Sequence, residues 1–352
     1  MRPRSRRPAA WTSSTVNVEA PITTARLYTR PMRRWLAVAL VLPLAGCSLI
    51  SLDLTPRIEP LREQTVEGSG RAKILLLDIS GFLSDEAGAP SLVIGAPSAP
   101  RVPLLVRVRE ELTKAADDGD VRALVVRINS AGGTVTASDV IFRELDLFKR
   151  STGRPVVAVM LDIAASGGYY VALVADTIVA HPTSVTGSIG VLMVTLSAEG
   201  LMQKLGLSTT TIKSAERKDM GSPFRPMTDE ERKIFQVVID GLYDQFVAKL
   251  AERRKLPLET ARKVADGRIY TAQQALELKL IDRVGYMPDA IEAAKRAIGV
   301  EEARVVVYRR PREYRATYYA RSEAPAGAME GSLMQLPAVL GAGPRFLYFW
   351  WP

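Results

Sequence analysis

The body of this chain is predicted to be an α/β fold built on a largely parallel sheet, on three observations. From Ile74 onward, short β-branched runs alternate with amphipathic segments. Most of the runs are continuously apolar rather than alternating, as strands are when both faces of the sheet are covered. Behind the last run comes a long, charged, amphipathic stretch followed by two shorter ones, which adds a C-terminal helical segment.

Taken in order, residues 74–79, 123–128, 156–161, 177–180 and 189–194 read as strands. Helical patterns fall between them at roughly 103–116 and 137–150, with a further one starting near Gly167. The long stretch is 229–254, with Ile234, Val237, Val238, Leu242 and Phe246 on one stripe. The shorter helices are 258–265, ended by Asp266-Gly267, and 272–280. No internal repeat is apparent. The expected organisation is an extension at 1–31, an export signal at 32–46, a linker at 47–71, a main domain at 72–300 and a basic, aromatic tail at 301–352.

The N-terminus reads as an address. Met32-Arg33-Arg34 is followed by an apolar run from Trp35 to Leu42 and then small residues up to Cys47, the layout of a secretory signal. Leu44-Ala45-Gly46-Cys47 resembles a bacterial lipoprotein signal, in which the cysteine is lipidated and becomes the mature N-terminus. The alternative is an uncleaved anchor, for which an apolar stretch of about 16 residues is short. Both place the body outside the cytoplasm, in the cell envelope. By the same resemblance, Ser48 after the cysteine leans towards the outer membrane if the envelope is Gram-negative. Residues 1–31, rich in Arg, Ser and Thr, look like a disordered extension or an upstream misassigned start.

Charge and rare residues exclude several functions. The net charge is +9, but residues 1–34 hold eight Arg against Glu19, leaving only +2 for everything from Cys47 onward. Such a body has no electrostatic footprint for a phosphate backbone, so no nucleic-acid partner is expected. One cysteine excludes an intramolecular disulfide and any multi-cysteine metal site. The single histidine, His181, precedes Pro182 in a loop and reads as structural, which argues against a Ser-His-Asp triad.

The informative stretch runs from Asn129 to Pro223. The strand at 123–128 exits into Asn129-Ser130-Ala131-Gly132-Gly133, where paired glycines let backbone N–H groups approach a ligand; a plain tight turn fits as well. The strand at 156–161 exits into Ala164-Ala165-Ser166-Gly167-Gly168-Tyr169-Tyr170. A serine at a strand-to-helix corner presents its hydroxyl at the end of the sheet, with the N–H groups of the next turn aimed at a developing oxyanion. The plainer reading is a serine helix cap. A nucleophilic serine needs a base, and a lysine can serve if its pKa falls from ~10.4 towards ~7, a fall that costs roughly 4–5 kcal/mol. Lys213 and Lys218 are both candidates by composition.

The segments INSAGG, ASGGYYVALVAD, TGSIGV, IKSAERKDMGSP, ADGRIY and ALELKLIDRVG, in this order across about residues 72–298, closely resemble the bacterial signal peptide peptidase A family. That family belongs to the Clp protease/crotonase superfamily, so the resemblance implies a Clp protease/crotonase-like fold. It further implies a serine endopeptidase with a Ser–Lys dyad that needs no cofactor or metal. Ser166 would be the nucleophile and Lys218 the base, with Ser188 hydrogen-bonding the lysine. Gly132, Gly133 and Gly167 would supply the oxyanion hole, and Lys213 would be a non-catalytic neighbour. Ala131 departs from the family's usual proline, which costs the loop a fixed φ but none of its donors. The implied partners are peptide substrates, signal-peptide remnants and similar unfolded chains, bound as an added strand with small or apolar side chains in shallow pockets. A homo-oligomer and a membrane tether through the lipid anchor are also implied. Two other readings are weaker. A crotonase-type acyl-CoA enzyme conflicts with the export signal, and a non-catalytic lipoprotein scaffold of the same fold conflicts with the presence of both dyad residues.

The tail admits two expectations. Arg304, Arg309, Arg310, Arg312, Arg315 and Arg321 followed by Phe346 to Trp351 could lie on a membrane surface. The favoured alternative makes 305–308 one more strand and packs the aromatics on the body or on another subunit.

Overall fold

A computed structural model describes residues 59–85, 102–311, 313, 316–320 and 345–350. The expected signal, Cys47, and the extension at 1–31 lie outside them, as do Arg312, Arg315 and Arg321. The described chain carries an eleven-stranded sheet whose main path runs β1-β10-β2-β3-β4-β5-β9. These strands are β1 Arg62–Glu67, β2 Lys73–Leu83, β3 Val121–Thr134, β4 Val156–Ala165, β5 Thr177–Ala180, β9 Arg283–Val284 and β10 Arg304–Arg309. Along this path pairing is parallel from β10 through β2, β3, β4 and β5 to β9, and antiparallel for β1 on β10. The α/β class with a largely parallel sheet is therefore as the sequence reads. Residues 62–67, inside the expected linker, form the β1 edge.

The continuous apolar runs divide between two cores. Leu75, Leu77, Ile79, Leu124, Val126 and Ile128 face the helices Leu104–Asp117 and Val135–Thr152 through Val108, Leu112, Ile141, Leu145 and Phe148. Ile74, Leu76, Ala123, Val125, Val157 and Val159 face the opposite helix, Met287–Ile298, through Met287, Ala290, Ile291 and Ala294. Period-two alternation thus persists in which face each residue takes, although both faces are buried. Asp78 and Arg127 bond at 2.7 Å inside this sheet, and Arg127 also donates to the carbonyls of Tyr318 and Ala320.

The expected strand at 189–194 is shortened to its last three residues, and a separate short strand precedes it. Val185–Gly187 forms β6 and Leu192–Val194 forms β7. Gly187 and Ser188 take φ of 87° and 48°, and two successive left-handed residues turn the chain where a strand would continue. β6 lies parallel to β4 and antiparallel to β8, Ile269–Thr271. The long helix Asp229–Arg254 starts with a capping box between Thr228 and Glu231. Only its C-terminal half packs into the core, through Phe246, Val247 and Leu250, while Val237 and Val238 are exposed. Residues 305–308 lie in β10, and Arg345–Phe349 forms β11, so the tail aromatics Tyr348 and Phe349 pack on the body together with Leu347. Among the described residues, no helix is long and apolar enough to cross a membrane.

Candidate active site

Ser166 stands at the end of β4, immediately before the short helix Gly167–Ala172. Its backbone takes φ 50°, ψ −115°, a sparsely populated conformation that costs on the order of 1–3 kcal/mol and is held by its surroundings. Ser166 N–H donates to Gly187 O at 2.7 Å, and Ser166 O accepts from Tyr170 N–H at 2.8 Å. The side chain makes no cap hydrogen bond, which removes the plain helix-cap reading. The residue is 1% exposed, and its Oγ is buried with no hydrogen-bond partner among the described residues. A buried hydroxyl left without a partner calls for an explanation, and chemistry at that oxygen supplies one.

The glycine loop lies beside it. The stretch 129–133 is no free turn: β3 runs through it to Thr134, with its register to β2 shifting between Ser80 and Phe82. Gly132 has φ 108°, and a Cβ there would fall 2.8 Å from Gly167 N. A Cβ on Gly133 would fall 2.0 Å from Leu83 O, so the backbone of β2 requires glycine at that position. Gly167 packs against Ser138, whose Oγ would lie 2.3 Å from a Cβ on it. Gly132 and Gly167 thus meet at the Ser166 corner, while Gly133, the next residue of β3, is packed against Leu83 of β2. Their donors differ, however: Gly132 N–H donates to Ser130 Oγ at 3.0 Å. Ser188 is drawn to the same corner because its neighbour Gly187 holds the Ser166 amide, and Ser188 N–H donates to Arg268 O at 2.7 Å.

Lys218 is not brought to Ser166. It lies in the 3-10 turn Glu216–Asp219, exposed, whereas Ser166 Oγ is buried without a partner. The turn belongs to a segment of about residues 195–228 that adds little to either core. Leu196, Leu201, Leu205 and Leu207 of that segment are exposed, and Ile212 is 97% exposed. Charge holds its far end. Lys213 Nζ donates to Asp219 Oδ1 and to Glu216 O, both at 2.7 Å, and Arg225 bonds Asp219 and Glu231. The Arg225 hydrogen bonds, with those from Lys213, hold Asp219 well below the usual carboxylate range, and Arg225 holds Glu231 down to about 2. His181 bonds Thr183 and meets Tyr286 edge-on, a structural role.

Sequence reasoning missed a strand at this site. β11 lies antiparallel on β3 with Tyr348 opposite Gly133 and Phe349 opposite Gly132, and antiparallel on β7 along its other side. Trp350 N–H donates to Ala131 O at 2.9 Å. The run of terminal aromatics was the available signal, but nothing in it names the edge it joins.

Residues 148–301 match the model of peptidase family S49. A putative signal peptide peptidase SppA of Enterococcus faecium is 30% identical over 302 residues, which span 79% of this chain and 84% of that protein. A putative protease of Methanocaldococcus jannaschii is 40% identical over 191 residues, 54% of this chain and 61% of that protein. Among solved structures, a ClpP1 mutant from Listeria monocytogenes aligns over 61% of this chain and 94% of its own, with 15% identity and a TM-score of 0.39. With a relative matched along most of its length and a family match that spans Ser166 and Lys218, the chain belongs to the serine peptidases of family S49.

Proposed function

We propose that this chain is a Ser–Lys endopeptidase that degrades extended, unfolded peptides, including signal-peptide remnants, at a membrane to which Cys47 tethers it. The observation that carries this reading is Ser166: a strained corner, a buried and unpartnered Oγ, and a glycine loop alongside on which a chain already lies as a strand. Lys218 takes the proton from Ser166 Oγ, which attacks the peptide carbonyl. The oxyanion is held by the N–H groups of Gly133 and Gly167, and Gly132 allows the close approach. Lys218 then gives its proton to the leaving amine, and water, with Lys218 again as base, releases the acyl group as a carboxylate. Ser188 orients the lysine. The ion pair with Asp219 keeps Lys213 out of this role.

A single copy as described leaves the dyad open, and the exposed apolar residues of the 195–228 segment, continued by Val237 and Val238, need a cover. A second copy of the chain supplies it, and with it Lys218 reaches the Ser166 of its neighbour. Ser166→Ala and Lys218→Ala each abolish hydrolysis in this reading, and mixing the two inactive variants restores part of it. Retained hydrolysis by Ser166→Ala overturns the nucleophile, and no recovery on mixing overturns the shared site.

A further inference from the structure

The slot that holds β11 has its own chemistry, and one side chain reports it. Tyr348 is the residue of the strand whose main chain comes closest to the catalytic corner. Its carbonyl oxygen would lie 1.9 Å from a Cβ on Gly132 and 3.0 Å from a Cβ on Gly167. The carbonyl thus lies between the glycine loop and Gly167, the residue after Ser166, where a substrate carbonyl must sit if Ser166 is the nucleophile. Its side chain points away from the Leu347 and Phe349 side chains, which pack with Phe82, Ala131 and Leu192. It enters a pocket where the Tyr170 ring stacks on it at 5.3 Å between centroids and the Phe246 ring tilts against it at 4.7 Å. At the bottom, Tyr348 Oη donates to Leu242 O at 2.9 Å. The residue is 1% exposed.

We infer that this pocket is the specificity pocket of the peptidase and that it selects an aromatic residue on the N-terminal side of the scissile bond. The inference rests on the reading of Ser166 as nucleophile and departs from the shallow, small-residue pockets expected from the sequence. Three features make the pocket selective. Its depth accepts a six-membered ring, and its two aromatic walls offer stacked and tilted faces at the separations ring pairs prefer. Its floor is a carbonyl that accepts from a phenol. Because helix carbonyls of this kind already serve the helix, the phenol contributes a few-fold preference for Tyr over Phe rather than an absolute one. Ring against methyl is the larger discrimination, about 100-fold in kcat/KM for Tyr over Ala. Tyr170 is itself fixed by a 2.7 Å hydrogen bond from its Oη to Asp139, so the wall is rigid.

The test uses the full chain. Wild-type protein is incubated with a mixed library of unstructured peptides, and cleavage positions are mapped by mass spectrometry. The expected result is a strong enrichment of Tyr and Phe just before the cut. Phe246→Leu, which keeps the pocket apolar but removes one ring, shifts that enrichment towards Leu and Met by about 10-fold. Ser166→Ala run alongside separates the two readings. If it still cleaves the library, the nucleophile is wrong. If it is inactive while wild type cuts without aromatic enrichment, the nucleophile stands and the pocket assignment falls. Should Phe246→Leu lose its fold, the heptapeptide Arg-Phe-Leu-Tyr-Phe-Trp-Trp, added to wild type, inhibits at least 10-fold better than its Tyr-to-Ala version. Equal inhibition by the two overturns the inference.

Discussion

Tyr348→Ala asks whether β11 is part of the body or a guest in it. Docking the strand buries Leu347, Tyr348 and Phe349 almost completely, worth roughly 10 kcal/mol at about 25 cal/mol per Å². Ordering its five residues costs roughly 8–10 kcal/mol in backbone and side-chain freedom. The margin is about 2 kcal/mol, with the backbone hydrogen bonds to β3 and β7 contributing to it. Removing the Tyr348 ring takes away about 4 kcal/mol, more than the margin, so the strand undocks while the sheet stays folded. Whole-chain stability in urea then falls by only about 2 kcal/mol, instead of the ~3–5 kcal/mol of an aromatic-to-alanine change in a fixed core. Hydrogen exchange followed by mass spectrometry gives the second reading: residues 345–350 and 131–134 lose protection while β2 and β4 keep theirs. A loss of 3–5 kcal/mol with 345–350 still protected would refute the argument and make β11 an integral strand.

Other outcomes follow from the same geometry. Gly133→Ala places a Cβ 2.0 Å from Leu83 O and should destabilise the chain by about 1–3 kcal/mol, whereas Gly119→Ala, with nothing within 4 Å, should change stability by less than about 0.5 kcal/mol; chemical denaturation checks both. The Arg225 cluster gives an acid-sensitive anchor for the lysine segment. Because Glu231 is held down to about 2 and Asp219 is held lower than usual, their stabilisation is fully present above about pH 4.5 and is lost as pH falls towards 2. Limited pepsin digestion should therefore open residues 195–228 over that window in wild type, and already above it in Arg225→Ala; equal digestion of the two at every pH would remove the anchor. Hydrolysis should rise with pH along a single limb, since the base must be neutral to take the Ser166 proton, and a maximum near pH 5 would exclude a lysine base. Cys47→Ser should change the mass of the mature chain by blocking lipidation and cleavage, and an unchanged mass retaining residues 35–46 would favour the uncleaved anchor.

The sheet was legible because its strands are local: the apolar runs at 74–79, 123–128, 156–161 and 177–180 lie within β2, β3, β4 and β5. The long helix was readable from its caps and charges, and 229–254 is what the structure shows. The strand at 189–194 was read too long and β6 before it was missed, because hydropathy carries no sign of φ and the turn at Gly187 and Ser188 that ends β6 is a backbone event. The Ser166 corner was visible as a motif, but its strain and its unpartnered Oγ are three-dimensional facts. The separation of Lys218 from Ser166 could not be read at all. A spacing along the chain says nothing about whether two groups meet within one copy. The pairing of β11 with Gly132–Thr134 joins residues more than two hundred positions apart, and composition holds no record of such a register.

A cleft that takes its ligand as a strand is, when empty, a gap between two open strand borders. Each border carries a row of unsatisfied amides and carbonyls, the template on which chains zip together into aggregates. For a peptidase, which meets other polypeptides as substrates, that gap is a hazard as well as a tool. With β11 lying between β3 and β7, both borders are closed by the molecule's own chain. Between β3 and β7 the resting protein therefore offers its neighbours no open border, and an incoming peptide must outcompete a covalently attached segment whose effective concentration is in the millimolar range. Chains that fit the ring pocket and both borders can do so. Casual contacts cannot, and Ser166, the nucleophile of the proposed function, stays buried beneath the docked strand.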